Sequence, residues 1–151
     1  MGEEKAEKRP YYFVLDLYPQ EHKEETRIWE FYENLKKGRF TTLKCKKCGH
    51  ILWPPEVICP ECTSDELEWI DMPPRGKIYA FTVQVGAVPL GFKPPLIQAI
   101  VDFPNGVRVI GPIADASPEE VKVGDEVEVK VIEIPPDAHG DRVLFCFKKV
   151  K

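Results

Sequence analysis

The chain has 151 residues, of which 30% are charged, and a formal net charge of -4. A chain of this length folds as one domain or two small ones and can bury a core without disulfides. The acidic balance argues against a general nucleic-acid binder, and no apolar run reaches the roughly 20 residues of a membrane span. The N-terminus lacks the apolar stretch of a signal peptide, so we expect a soluble, cytoplasmic protein with no membrane partner.

Proline is unusually frequent. There are 15 prolines, about twice the ordinary share of ~5%, and four proline pairs interrupt the chain from residue 54 onward, which excludes long helices there. Asparagine and glutamine are rare beside lysine and glutamate, a pattern common in thermophile proteins. The proline pairs are Pro54-Pro55, Pro73-Pro74, Pro94-Pro95 and Pro135-Pro136.

The first predicted elements are an aromatic run and a helix. Residues 11–15 are aromatic or aliphatic and need an apolar partner on this domain or on another chain. Residues 21–37 are predicted to form an amphipathic helix, with one apolar stripe and acidic residues near its start. Gly38 is a natural C-terminal stop. The stripe consists of Ile28, Phe31, Tyr32 and Leu35.

Two CxxC pairs follow, separated by ten residues. Each pair places two thiolates on one side of a tight turn, and two such turns facing each other complete a tetrahedral S4 site for zinc, or for iron in the same geometry. Four cysteines leave no open position for catalysis, so the metal is predicted to be structural. The four predicted ligands are Cys45, Cys48, Cys59 and Cys62.

Other roles for the cysteines have less support. Disulfides are disfavoured in the cytosol, and a thioredoxin-type redox motif needs one CxxC within a βαβ pattern. His50 lies two residues after Cys48 and is either a replacement ligand or, more simply, a surface histidine beside the site. Cys146 lies among apolar residues of a predicted strand and is expected to be a small buried side chain.

From residue 66 the pattern changes to β-structure. One strand is predicted at 66–70, and five more follow it: 77–85, 96–103, 107–113, 127–134 and 142–150. Ser117, Pro118 and Glu120 form a helix-start signature between the third and fourth of these five. Five strands also build an SH3-like barrel, but the helical turn in this position favours an OB-fold, a small Greek-key barrel.

Sequence motifs for catalysis are absent. The three histidines, His22, His50 and His139, are far apart in sequence, and no nucleophile elbow, P-loop or dinucleotide fingerprint occurs. Basic residues cluster on the N-terminal side of the cysteine segment and include Lys46 and Lys47, which either meet a phosphate or offset the charge of the thiolates. The aromatic residues of the barrel alternate along strands, as core residues do, so single-strand stacking has little support.

The order of these elements resembles the DUF35 family of OB-fold, acyl-CoA-associated proteins with a rubredoxin-like zinc ribbon. The resemblance covers residues 26–150. The matching motifs are I-W-E-F-Y-E-N-L-K-K-G at 28–38, C-K-K-C-G at 45–49, Pro54-Pro55, C-P-E-C at 59–62, G-K-I-Y-A-F-T-V at 76–83, G-F-K-P-P at 91–95 and V-G-D-E-V at 123–127.

The resemblance implies a mainly β fold in three parts: an N-terminal tail and helical arm (1–38), a zinc ribbon (39–72) and a five-stranded OB-fold barrel (73–151). It also implies a non-catalytic scaffold, such as the archaeal protein that joins acetoacetyl-CoA thiolase to HMG-CoA synthase in the mevalonate pathway and helps seat acyl-CoA. We expect partner or CoA contacts at Phe92 and Lys93, and weaker ones at Arg39, Lys46 and Lys47. The alternative is a single-stranded nucleic-acid-binding protein.

Overall fold

The computed structural model describes residue 16, residues 18–89 and residues 91–151. The predicted aromatic run at 11–15 lies outside the described residues, and so does Leu90 of the proline-rich loop. Within the described part of the chain, no helix is both long enough and apolar enough to cross a lipid bilayer.

The helical arm is shorter than predicted. Helix α1 spans Trp29–Lys36, whereas residues 21–28 form turns in which the backbone N–H groups of Glu25 and Thr26 both donate to the His22 carbonyl. Residues 21–27 contain no apolar side chain, so a helix there has no face to bury, and packing supplies most helical stability in proteins. The apolar stripe itself is confirmed, because Phe31 and Leu35 are buried.

A small antiparallel sheet carries the cysteine segment. Its strand order is β2-β1-β3, and Leu43 in the central strand pairs with Leu52 on one side and Trp69 on the other. The predicted strand at 66–70 is confirmed with a shift of one residue. The Trp69 indole N–H donates to the Glu30 carboxylate, which fastens the sheet to α1. The strands are β1 (Thr41–Cys45), β2 (Ile51–Leu52) and β3 (Leu67–Asp71).

The remaining strands close into the predicted five-stranded barrel of OB-fold type. The strand order is β4-β5-β6-β8-β7, in which β6 and β8 are parallel and the other pairs are antiparallel. A 3-10 turn at Pro118–Glu120 connects β6 to β7 and carries the predicted capping box of Ser117 and Glu120. The strands are β4 (Arg75–Gln84), β5 (Leu96–Asp102), β6 (Arg108–Ala114), β7 (Glu126–Asp137) and β8 (Gly140–Lys149).

The last proline pair lies inside a strand and does not separate two strands. Pro135 and Pro136 fall within β7, where the pairing with β8 shifts register between Ile134 and Asp137. Proline lacks the N–H that a regular ladder needs, so a bulge is the arrangement that accommodates this pair in a strand.

A cluster of aromatic rings joins helix, ribbon and barrel into one core. The Phe40 ring, immediately before β1, has its centroid 6.1 Å from that of Phe31 in α1 and 5.3 Å from that of Trp53 in the ribbon. The same ring lies 5.0 Å from Phe145 and 6.1 Å from Phe103 in the barrel. These separations suit tilted and edge-to-face aromatic packing. The three parts therefore share one apolar interior.

The segment before α1, residues 18–28, is held on the barrel by two buried charged side chains. Glu21 is 2% exposed and its carboxylate accepts the Val143 N–H of β8 at 3.0 and 3.1 Å. Burial raises the pKa of Glu21 to about 7, against the lowering effect of that hydrogen bond. Arg142 donates to the Pro19 carbonyl at 3.4 Å and to the Pro135 carbonyl at 2.9 Å, and it lies 2.8 Å from the Asp16 carboxylate. We call residues 18–28 the docked segment.

The buried arginine gives the first prediction. Arg142→Met is expected to lower the free energy of unfolding by about 3 kcal/mol or more, because it leaves the Asp16 and Asp137 carboxylates without their cation. Urea denaturation measures the loss. The matched control is Arg108→Met, which removes an ion pair to Asp102 whose side chains are 50% and 42% exposed, and should change stability little. Equal losses in the two variants would contradict this assignment.

Candidate metal centre and contact residues

Two tight turns bring the four cysteine side chains together. The Sγ atoms of Cys45 and Cys62 are 3.6 Å apart, as are those of Cys48 and Cys59, and all four lie within 4.8 Å of one another. Zn–S bonds of about 2.3 Å in a tetrahedron place sulfurs about 3.8 Å apart, whereas a disulfide needs about 2.05 Å. The arrangement therefore fits a tetrahedral thiolate metal site and does not fit disulfides.

The backbone repeats the same turn twice. The N–H of Gly49 donates to the Cys45 carbonyl and that of Thr63 to the Cys59 carbonyl, both at 2.9 Å. Each turn needs a left-handed residue after its second cysteine, with φ of 78° at Gly49 and 59° at Thr63. The first position suits glycine, whereas a β-branched threonine adopts that conformation at a cost. The local sequence thus builds the first turn with less strain than the second.

Backbone N–H groups point at the Cys45 sulfur and favour its thiolate form. Hydrogen bonds from the N–H of Cys48, and then from that of Lys47, lower the pKa of the Cys45 thiol to about 7. Lys46 and Lys47 themselves are exposed on this turn. A site with four thiolates and one divalent zinc carries a formal charge of about -2, which adjacent ammonium groups offset.

The ribbon has little apolar core of its own. Its separate cluster of buried residues contains two cysteines among its four members, so half of it consists of metal ligands. A metal ion bound there would supply folding free energy that apolar burial does not provide. The buried members are Leu43, Cys45, Leu52 and Cys59.

The basic residues predicted for contacts do not converge. The Arg39 guanidinium lies before β1 and donates from Nε to the Asp71 carboxylate at 3.0 Å. Lys46 follows the far end of β1, a five-residue strand, so roughly 20 Å of extended chain separates the two residues. Arg39 is therefore at the base of the ribbon, whereas Lys46 and Lys47 are at its tip.

The predicted contact loop lies at another place on the molecule. Phe92 is half-buried, Lys93 is exposed, and the Phe92 N–H donates to the Pro89 carbonyl at 3.1 Å. Gly91 lies against the hydroxyl of Tyr18, so closely that a Cβ at this position would overlap it. The loop is thus braced by the docked segment.

The aromatic residues of the barrel are core residues with one exception. Phe103 and Phe147 are buried, and Phe81 and Phe145 pack against the same core. Tyr79 is 53% exposed, but the Arg108 guanidinium lies 3.8 Å from its ring centroid. Bases stack on aromatic rings whose faces are open to solvent. These five described side chains offer little exposed ring surface for such stacking.

Two histidines that are far apart in sequence meet in the structure. The rings of His22 and His139 are stacked with centroids 4.1 Å apart and an interplanar angle of 5°. The sequence pattern does not predict this pair, because nothing in it indicates that the docked segment lies beside the β7–β8 turn. His50 stands apart from the pair, at the end of the first cysteine turn, where its carbonyl accepts the Cys45 N–H at 2.8 Å.

Comparison with known proteins agrees with this geometry. One family model, described as "ChsH2, rubredoxin-like zinc ribbon domain", matches residues 33–68, and another, "ChsH2, C-terminal OB-fold domain", matches residues 69–132. A DUF35 domain-containing scaffold protein of Methanothermobacter thermautotrophicus is 30% identical over 128 residues, which cover 83% of this chain and 94% of that protein.

Two further matches concern assemblies. The benzoylsuccinyl-CoA thiolase subunit BbsA of Thauera aromatica is 30% identical over 118 residues, covering 75% of this chain and 80% of that protein. A solved structure titled "Ltp2-ChsH2(DUF35) aldolase" superimposes with a TM-score of 0.69 at 22% identity, over 80% of this chain and 91% of that one. The structural match supports the fold of ribbon and barrel together.

The left-handed glycine of the first cysteine turn gives the second prediction. Gly49→Ala is expected to destabilise the zinc-loaded protein by about 1 kcal/mol, because the Cβ of alanine is sterically strained at a positive φ. The matched control is Gly86→Ala, since an added Cβ meets nothing within 4 Å at either position and only Gly49 has positive φ. Chemical denaturation in the presence of zinc compares the two variants, and equal stability would contradict the proposed origin of the cost.

Proposed function

The chain belongs to the DUF35 family, and from that premise we propose that it is a non-catalytic scaffold subunit that binds a thiolase-superfamily enzyme and helps seat its acyl-CoA substrate. In the finer form of the proposal, the partner is acetoacetyl-CoA thiolase, HMG-CoA synthase or both, in the mevalonate pathway of an archaeon. The four-cysteine site holds a structural zinc ion that shapes the ribbon.

The observation that carries the proposal is the similarity to a protein named as a thiolase subunit. That similarity reaches 30% identity and extends over 80% of the relative, so it includes both ribbon and barrel. Relatives named as scaffold proteins support the same kind of role. In this proposal the chain contributes surfaces to an enzyme complex and no catalytic group.

The proposed contact residues form two surfaces at opposite ends of β5. The loop with Phe92 and Lys93 precedes the strand, and the β5–β6 turn with Asn105 follows it. Asn105 donates to the Met72 sulfur at 3.3 Å, and the same turn faces His50 and Trp53 across a cleft, so the ribbon lies at that end. Seven residues of β5 separate the ends by about 20 Å.

This separation supports a scaffold more than a single ligand pocket. We propose that the loop, with an aromatic ring and an ammonium group, contacts the thiolase partner and its CoA. Lys46 and Lys47 at the ribbon tip would form a weaker contact with phosphate. Arg39 would contribute least to phosphate binding, because it is already paired with Asp71. Aromatic side chains are frequent hot spots of interfaces, which favours Phe92 as the main contact.

Reconstitution with the partner enzyme gives the third prediction. The zinc-loaded chain and the acetoacetyl-CoA thiolase of the same organism are expected to co-elute in gel filtration at micromolar concentration. Phe92→Ala should weaken the complex about tenfold, the equivalent of ~1.4 kcal/mol, as measured by calorimetry. Lys93→Glu should weaken it too, whereas Lys37→Glu, the same charge change on an exposed residue after α1, should not.

Because Phe92 is half-buried, its substitution can also destabilise the fold. Thermal denaturation of each variant therefore distinguishes a loss of binding at the interface from a loss of folded protein. If no complex forms with either the thiolase or the HMG-CoA synthase, the proposal fails. Equal weakening by Lys93→Glu and Lys37→Glu would place the interface elsewhere than the loop.

The rival function, binding of single-stranded nucleic acid, has less support because the net charge is -4 and the barrel aromatics are mostly buried. It requires salt-dependent binding of oligonucleotides with a steep slope. If the fluorescence of labelled single-stranded oligonucleotides does not change when the protein is added at low salt, this alternative is excluded.

A further inference from the structure

A second cluster of metal-binding side chains lies outside the cysteine site. It consists of His22 and Glu24 in the docked segment and His139 in the turn between β7 and β8. One ligand atom from each of the three lies within 4.8 Å of the other two. Glu25 lies beside them, with its carboxylate 3.3 Å from Nε2 of His139.

The two imidazoles are brought next to each other by structure on both sides. Nδ1 of His22 accepts the Glu24 N–H at 3.3 Å, which keeps that ring beside the turn that carries the Glu24 carboxylate. The His139 N–H donates to the Asp137 carboxylate at 2.8 Å, which fixes the backbone at the tip of the β7–β8 hairpin. Because the docked segment is anchored through the Glu21 carboxylate and through the bond from Arg142 to the Pro19 carbonyl, the contact does not depend on the histidines alone.

The surroundings favour a cation. A cavity of about 230 Å³ adjoins the histidines and is lined by four acidic and three basic side chains. Two of its three basic members, Lys36 and Arg142, already face carboxylates, at 3.3 Å from Glu33 and 2.8 Å from Asp16, and the third, Lys23, is exposed to solvent. The carboxylates of Glu24 and Glu25 add negative charge on the histidine side, so the local potential attracts a divalent ion.

We propose that His22, Glu24 and His139 form a second metal site, which takes a divalent ion of the zinc type and connects the docked segment to the β7–β8 turn. Two imidazoles and one carboxylate are a ligand set that suits zinc and neighbouring first-row ions. Metal–ligand bonds of about 2.1 Å place ligand atoms roughly 3.4 Å apart, so the side chains need to close by up to about 1.4 Å. An imidazole binds a metal ion within its own ring plane, so one of the two stacked rings must also turn out of the stack when the ion binds. His139 is 30% exposed and has room for that adjustment.

The site differs from the cysteine centre in ligand chemistry and in consequence. A metal ion bound by the four cysteines would hold two turns of the ribbon together. The second ion would connect His22 and His139, which are 117 positions apart in the chain, on the barrel surface. Because an ion that binds the folded state stabilises it, zinc should strengthen the attachment of the docked segment. The N–H of Val143, which donates to Glu21 in that segment, reports on this attachment.

Zinc stoichiometry of the full chain tests the proposal. The wild-type protein in excess zinc is expected to hold two ions, measured by native mass spectrometry and by a chromophoric chelator. A mild chelator should remove one, and a thiol reagent the other. His139→Ala should hold one ion that only the thiol reagent releases. The matched control, His50→Ala, removes the third histidine of the chain and should still hold two.

Three further measurements decide the interpretation. Glu24→Gln should also lose the weaker ion, and thermal denaturation shows whether either variant is folded. Excess zinc should slow hydrogen exchange at Val143 in the wild type and not in His139→Ala. A single ion in the wild type, or loss of the weaker ion in His50→Ala, overturns the proposal. So does zinc-dependent dimerisation by light scattering, since the ion would then bridge two molecules.

Discussion

The packing around Phe40 is the interaction on which the rest of the architecture depends. Its ring contacts one aromatic side chain from the helix, one from the ribbon and two from the barrel. The Phe40 carbonyl also accepts the Met72 N–H at 2.9 Å, which brings the two ends of the ribbon together where it meets the barrel. A ribbon of this size has few buried residues of its own, so its orientation is set by this shared aromatic core and its internal shape by the metal ligands.

Sequence patterns predicted the parts of the fold that local chemistry determines. Strand positions and the cysteine turns depend on alternation, turn residues and ligand spacing, all of which act within a few residues. The predicted start of α1 was wrong because charge placement indicated a helix from residue 21, whereas residues 21–27 have no apolar side chain to bury. The buried Glu21 shows why: its side chain binds a strand more than a hundred residues away, and no local pattern contains that information.

The same limit applies to the contact residues. The four cysteines were identifiable because their spacing alone defines the geometry, and the structure brings them together. Arg39, Lys46 and Lys47 looked like one basic edge in the sequence, but β1 separates the first from the other two. The stacking of His22 on His139 depends on how the docked segment crosses the hairpin, which is a tertiary property that a pattern of isolated histidines does not reveal.

The position of the metal bears on which surface would recognise an acyl-CoA. A zinc ion with four thiolates carries about -2 in formal charge, and the Lys47 backbone N–H bonds directly to one of those sulfurs. The negative charge of that centre largely cancels the positive charges of Lys46 and Lys47. A phosphate would therefore bind there less strongly than two lysines alone would suggest. Lys93 lies at the other end of β5, away from that centre, on a loop braced by Tyr18. If the chain contacts the phosphates of CoA as proposed, the electrostatics favour the loop, and the ribbon tip is better suited to a protein surface.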